Sequence, residues 1–135
     1  MGIGGILALH VRYALESFSK ALYSGISNYD ATQTRLAVAC VEDNGFMPLL
    51  VNQSKYNMLQ RHIDDELLSV AKDAGMGVVV YSPLAQGLLT NRYLTSIPSG
   101  SRAGKKHDYS GALTRSQVTD EVLNRVQALH YVAHR

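Results

Sequence analysis

With 135 residues, 46% of them apolar and 18% charged, the chain can build a hydrophobic core and does not have the composition of a disordered protein. Its net charge is +2, and the longest basic run, Arg102 to Lys106, is broken by Ala103 and Gly104, which excludes a nucleic-acid-binding stripe. A single cysteine, Cys40, rules out an internal disulfide and favours a reducing, cytoplasmic setting.

The opening MGIGGILAL has no basic start, and its apolar run stops at His10, so neither a signal peptide nor a membrane span is expected. Leu7, Val11, Ala14 and Phe18 then stand at helical spacing. A first strand is predicted over Ala21 to Ile26. The helix after it is capped by Asp30 or Thr32, turns Leu36, Ala37, Cys40 and Val41 inward, and closes at Asn44-Gly45. A second strand is predicted over Met47 to Gln53. Its helix is capped at Asp64-Asp65, buries Leu67, Leu68, Ala71 and Ala74, and stops at Gly75. The third strand covers Met76 to Tyr81. Residues 96–111 are polar and rich in Ser and Gly, which predicts a flexible surface loop. A last helix opens at Thr114 or Ser116 and runs through Val118, Val122, Val126 and Leu129.

The strand centres recur roughly every 27 residues, the length of a strand-plus-helix unit. Short apolar strands alternating with helices predict an α/β fold with a parallel sheet and right-handed crossovers. Function in such folds collects at the carboxyl ends of the strands. That rule selects Ser27-Asn28-Tyr29, Asn52-Gln53-Ser54 with Tyr56-Asn57 just beyond, and Tyr81-Ser82-Pro83. A carboxamide side chain both donates and accepts, and a tyrosine ring offers a flat stacking face. Together they suit an amide-bearing heteroaromatic ring such as nicotinamide. Each cluster taken alone is also ordinary strand-end turn chemistry. The histidines are scattered, and His130 with His134 is only a bare pair, so no metal site is expected.

In order along the chain, GISNYDATQ, LLVNQSKYNMLQR and VVVYSPLAQGLLTNRYL closely resemble the aldo-keto reductases, nearest the branch of potassium-channel beta subunits and glyceraldehyde-phosphate reductases. The resemblance runs from about Ala21 to Arg135, while residues 1–19 fit it poorly. It implies part of an NADP(H)-dependent (β/α)8 barrel, truncated to a C-terminal portion of about three parallel strands. It further implies that Ser27, Asn28 and Gln53 hold the nicotinamide carboxamide and that Tyr81 stacks on the ring. By the same match, Ser82, Pro83, Leu84, Ala85 and Gln86 wrap the pyrophosphate, with Arg92 and Arg102 adding charge.

The family's segment carrying the catalytic Asp, Tyr, Lys and His has no counterpart here, so no catalytic residue is assigned and the isolated chain is expected to lack turnover. A noncatalytic interaction module, or a gene fragment without function, is the alternative. The implied ligands are a nicotinamide cofactor and, for the whole family protein, a small carbonyl substrate; no nucleic acid or membrane partner is expected. Three parallel strands leave open edges, which predicts marginal stability or self-association through them.

Overall fold

The computed structural model describes residues 23–105 and 112–135. The expected N-terminal helix, Ala21 and Leu22 of the first expected strand, and residues 106–111 of the polar loop lie outside those residues. The described residues form two compact units. One runs through Tyr56 and resumes at Gln60–Tyr81; the other is Asn57–Leu59 with Ser82–Arg135.

The first unit is a three-stranded sheet, β1 (Gly25–Ser27), β2 (Val51–Lys55) and β3 (Gly77–Tyr81), with β2 in the middle. Both pairings are parallel, setting Gly25 opposite Val51, Ser27 opposite Gln53, and Lys55 opposite Tyr81. The crossovers are α1 (Ala31–Asp43) and α2 (Leu67–Asp73). Asp30 caps α1 through a reciprocal pair with Gln33: its carboxylate accepts the Gln33 N–H at 2.7 Å, and its own N–H donates to Gln33 Oε1 at 3.1 Å. Both helices close alike. Phe46 N–H reaches Val41 O and Met76 N–H reaches Ala71 O, each at 2.8 Å, while Gly45 and Gly75 make the shorter turn bond at 3.0 Å.

Ala37 and Val41 of α1, Ala71 of α2, Leu49 and Met76 form the core, with Ile26 and Val78 packed against them from the sheet. The helices therefore cover one sheet face. The opposite face carries Ser27, Gln53 and Val79 exposed, Val79 at 51%. β1 and β2 approach so closely that a Cβ on Gly25 would lie 2.7 Å from both Val51 O and Val51 Cγ1.

The second unit winds through short 3-10 turns at Ala85–Gly87, Asn91–Tyr93 and Arg115–Gln117 into α3 (Asp120–Ala133). Leu88, Tyr93, Ala103 and Leu113 are its core, flanked by Leu59, Ile97, Val118, Val122 and Leu123. Residues 98–104 coil on themselves: Ser101 Oγ donates to Pro98 O at 2.6 Å, and Gly104 N–H donates to Ser101 Oγ at 3.1 Å.

Three parallel strands alternating with helices make a partial (β/α)8 arrangement, the architecture the sequence predicts. Several boundaries differ. β2 begins at Val51 rather than Met47, because ladder partners start at the Gly25–Val51 pair and Met47 and Leu50 are half exposed. α2 starts at Leu67 with Glu66 before it and no capping side chain. Asp64 is unavailable as a cap, since its carboxylate holds Tyr56 and Arg61. α3 starts at Asp120, capped by Thr119, whose hydroxyl accepts the Val122 N–H at 3.3 Å; Thr114 opens only the preceding turn. Leu36 and Leu68, expected inward, are exposed at 47% and 40%, because the inward stripe of α1 is Thr34, Ala37 and Val41 and that of α2 is Leu67, Val70 and Ala71.

Candidate functional site

In the first unit the carboxyl ends of the three strands lie on one edge, as parallel pairing requires. Ser27 Oγ donates to Gln53 O at 3.0 Å, and Asn28 N–H donates to the same carbonyl at 2.8 Å. Asn28 Nδ2 donates to Ser27 Oγ at 3.3 Å. This ties the Ser-Asn pair onto the end of β2. Asn28 takes φ 59, a left-handed conformation that asparagine tolerates better than most residues. Among the described residues the Gln53 carboxamide makes no hydrogen bond, and it stands exposed on the uncovered sheet face. Tyr81 occupies that face one strand over, in register with Lys55, which lies two residues beyond Gln53.

The other face of β2 serves the scaffold. Asn52 is fully buried and donates from Nδ2 to Tyr29 O at 3.0 Å and to Thr34 Oγ1 at 3.2 Å. Ser54 Oγ donates back to Asn52 Oδ1 at 3.4 Å. The network fastens the first turn of α1 to the central strand and so fixes where Asn28 leaves β1. Sequence reasoning placed Asn52 on the rim. Its parity along β2 was the available signal: adjacent residues face opposite ways, so Asn52 and Gln53 cannot share a face.

Beyond β2, Tyr56 Oη donates to Asp64 Oδ1 at 2.6 Å, and Arg61 Nε donates to Asp64 Oδ2 at 2.6 Å. The Arg61 guanidinium also stands 5.9 Å from the Tyr56 ring centre. The hydrogen bond to Asp64, then burial, holds the Tyr56 phenol above its ordinary range, with Arg61 partly offsetting them. Hydrogen bonds from Tyr56 and then Arg61 hold the Asp64 carboxyl below its ordinary range. A cleft of about 320 Å³ opens beside Asn28, lined also by Thr32, Ser54, His62, Asp65 and Glu66. Its carboxylates make it a poor seat for phosphate.

In the second unit, Ser82, Ala85 and Gln86 have φ of 54, 48 and 59. With Asn28 they are the non-glycine residues at positive φ among the described residues, and all four belong to the set for which the family resemblance implies a cofactor role. Such conformations cost on the order of 1–3 kcal/mol each and cluster at ligand sites. Asn57, singled out in the sequence just beyond the second strand, donates from Nδ2 to Ser82 O at 3.1 Å and so anchors the turn. Pro83 and Leu84 are exposed. Ala85 N–H and Gly87 N–H are consumed within the turn, on Ser82 O and Leu84 O, each at 2.9 Å. Gln86 turns its side chain into the unit, where Oε1 accepts from Leu113 N–H at 3.0 Å and from Arg102 Nη1 at 3.3 Å. Arg92 and Arg102 are both exposed.

Among the described residues no group of three or more His, Cys, Asp or Glu side chains is arranged to hold a metal, and no helix is long and apolar enough to cross a membrane.

Over 124 residues the chain is 37% identical to L-glyceraldehyde 3-phosphate reductase of Escherichia coli (strain K12), covering 91% of this chain and 35% of that protein. It is 36% identical over 115 residues to a probable voltage-gated potassium channel subunit beta of Arabidopsis thaliana, covering 84% and 34%. It is 39% identical over 92 residues to the NADH-specific methylglyoxal reductase of Escherichia coli (strain K12), covering 67% and 26%. The chain thus spans about a third of the length of such relatives. Residues 13–135 match the Aldo/keto reductase family, and the chain belongs to it.

Proposed function

We propose that this chain supplies the nicotinamide-binding rim of an NADP(H)-dependent reductase of aldehydes and ketones. The observation that carries this is the shared open face of Ser27, Gln53 and Tyr81, with the Gln53 amide unpartnered among the described residues. A carboxamide ligand needs one donor and one acceptor opposite its own pair. Gln53 offers both, and Asn28 Oδ1 adds a second acceptor, because only its Nδ2 is engaged. Tyr81 supplies the stacking face.

By the family resemblance, the turn at residues 82–86 takes the phosphates: the N–H groups of Ser82 and Leu84 make no backbone hydrogen bond within the turn, and Arg92 and Arg102 supply charge. Gln86 positions Arg102 and the 113 backbone rather than offering its amide outward. Pro83 and Ala85 shape the turn.

When bound, the reduced cofactor supplies hydride to a carbonyl carbon. This chain's residues bind and orient; none is assigned the proton transfer to the carbonyl oxygen, and the isolated chain binds cofactor without turnover. A cytoplasmic setting, where the cofactor is kept reduced, goes with this role.

Titration with NADPH and with NADH, followed by cofactor fluorescence, tests the assignment. Saturable binding is expected, weakened about tenfold by Gln53→Ala, the loss of one to two net hydrogen bonds. Absence of binding by both cofactors, or indifference to Gln53→Ala and Tyr81→Ala together, overturns it. Carbonyl-dependent NADPH oxidation by the isolated chain would overturn the claim that turnover is absent.

A further inference from the structure

One charged side chain on the open sheet face has no part in the assignments above. Lys55 ends β2, and the parallel register sets it directly opposite Tyr81. Asn52 and Ser54 are buried in the helix layer, so Val51, Gln53 and Lys55 rise on the open side. Neighbouring strands lie about 4.8 Å apart, so the Lys55 and Tyr81 side chains leave the sheet side by side. Lys55 is partly buried, and its side chain has no hydrogen bond or ion pair among the described residues. A lysine without a side-chain partner thus stands in register with an aromatic residue, two residues beyond a carboxamide that makes no hydrogen bond among the described residues.

We propose that Lys55 discriminates between the two oxidation states of the bound nicotinamide, favouring the reduced form. This rests on Tyr81 being the face on which that ring stacks. The oxidised ring carries a positive charge and the reduced ring is neutral. A cation at the edge of the stacking face repels only the first, and the partial burial of Lys55 and Tyr81 limits how far solvent screens that repulsion. Ser27, Asn28 and Gln53 cannot discriminate in this way, because the carboxamide they address is the same in both states. The direction suits a reductase, since it eases departure of the spent cofactor and entry of the reduced one.

The test compares affinities of the full chain for reduced and oxidised forms of one cofactor, the first by its fluorescence and the second by displacement. Lys55→Met keeps the aliphatic stem and removes the charge. It is expected to tighten the oxidised form roughly three- to tenfold, the size of one partly screened charge, and to leave the reduced form unchanged. Lys55→Arg should restore the original preference, and raising the salt should narrow it. A structural role for the stem would instead move both affinities together. Equal changes in the two forms, or none, overturn the proposal and leave the cofactor site standing. Failure of the unsubstituted chain to bind either form overturns the cofactor site and this inference with it.

Discussion

Asn52 and Gln53 are neighbours with the same side-chain chemistry and opposite fates, decided by the two-residue period of a strand. Asn52 spends its amide on Tyr29 O and Thr34 Oγ1 in the dry helix layer, while Gln53 keeps its own for the open side. Asn52→Leu should therefore cost about 2 kcal/mol in urea denaturation, because it strands two buried acceptors. The Tyr56–Asp64–Arg61 clasp makes a pH-dependent contribution of determined sign. Asp64 is held below its ordinary range, so its contribution is complete above the unfolded value near ~4 and is lost as pH falls through the folded one. Tyr56 is held above its ordinary range, so its contribution is complete below about pH 10 and is lost as the phenol ionises. Asp64→Asn is expected to bring the Tyr56 titration down, read as phenolate absorbance by difference against Tyr56→Phe; an unmoved titration would deny the Asp64 contact.

At the scale of elements, helix boundaries follow where side chains find backbone partners. The reciprocal Asp30–Gln33 pair fixes the start of α1, and Asp30→Ala should destabilise the first unit by about 1 kcal/mol, measured by thermal or urea unfolding. The start of α1, the closures at Gly45 and Gly75, and β3 were legible because each depends on local chemistry or on a continuous apolar run. The start of α2 was not: Asp64 looks like a cap in sequence, yet Tyr56, eight residues earlier, claims its carboxylate. The start of β2 was equally hidden, because the residue-by-residue pairing with β1 begins only at Val51, although Leu50 N–H already donates to Ser24 O at 2.8 Å. At the site, residue types at strand ends were readable. The side on which each residue stands, which separates Asn52 from Gln53 and brings Lys55 beside Tyr81, needed the register.

At the scale of the molecule, a sheet ordered β1-β2-β3 protects its strands unequally. β2 is paired on both sides, whereas β1 and β3 each present an edge among the described residues. Hydrogen exchange should accordingly be slowest in Val51–Lys55 and faster along both outer strands. Uniform protection across all three would mean that the edges are covered in solution.

The contact between Gly25 and Val51 extends this to inheritance. A single extra methyl at position 25 meets the Val51 carbonyl oxygen well inside van der Waals distance, and only movement of a whole strand can relieve it. Ser27 and Asn28 ride on that strand. A substitution adding no charge and deleting no polar group would then act as a wedge, lifting Ser27 and Asn28 off the Gln53 carbonyl that holds them. Under the proposed cofactor role, its carriers would show the phenotype of a damaged binding site with every proposed contact residue intact.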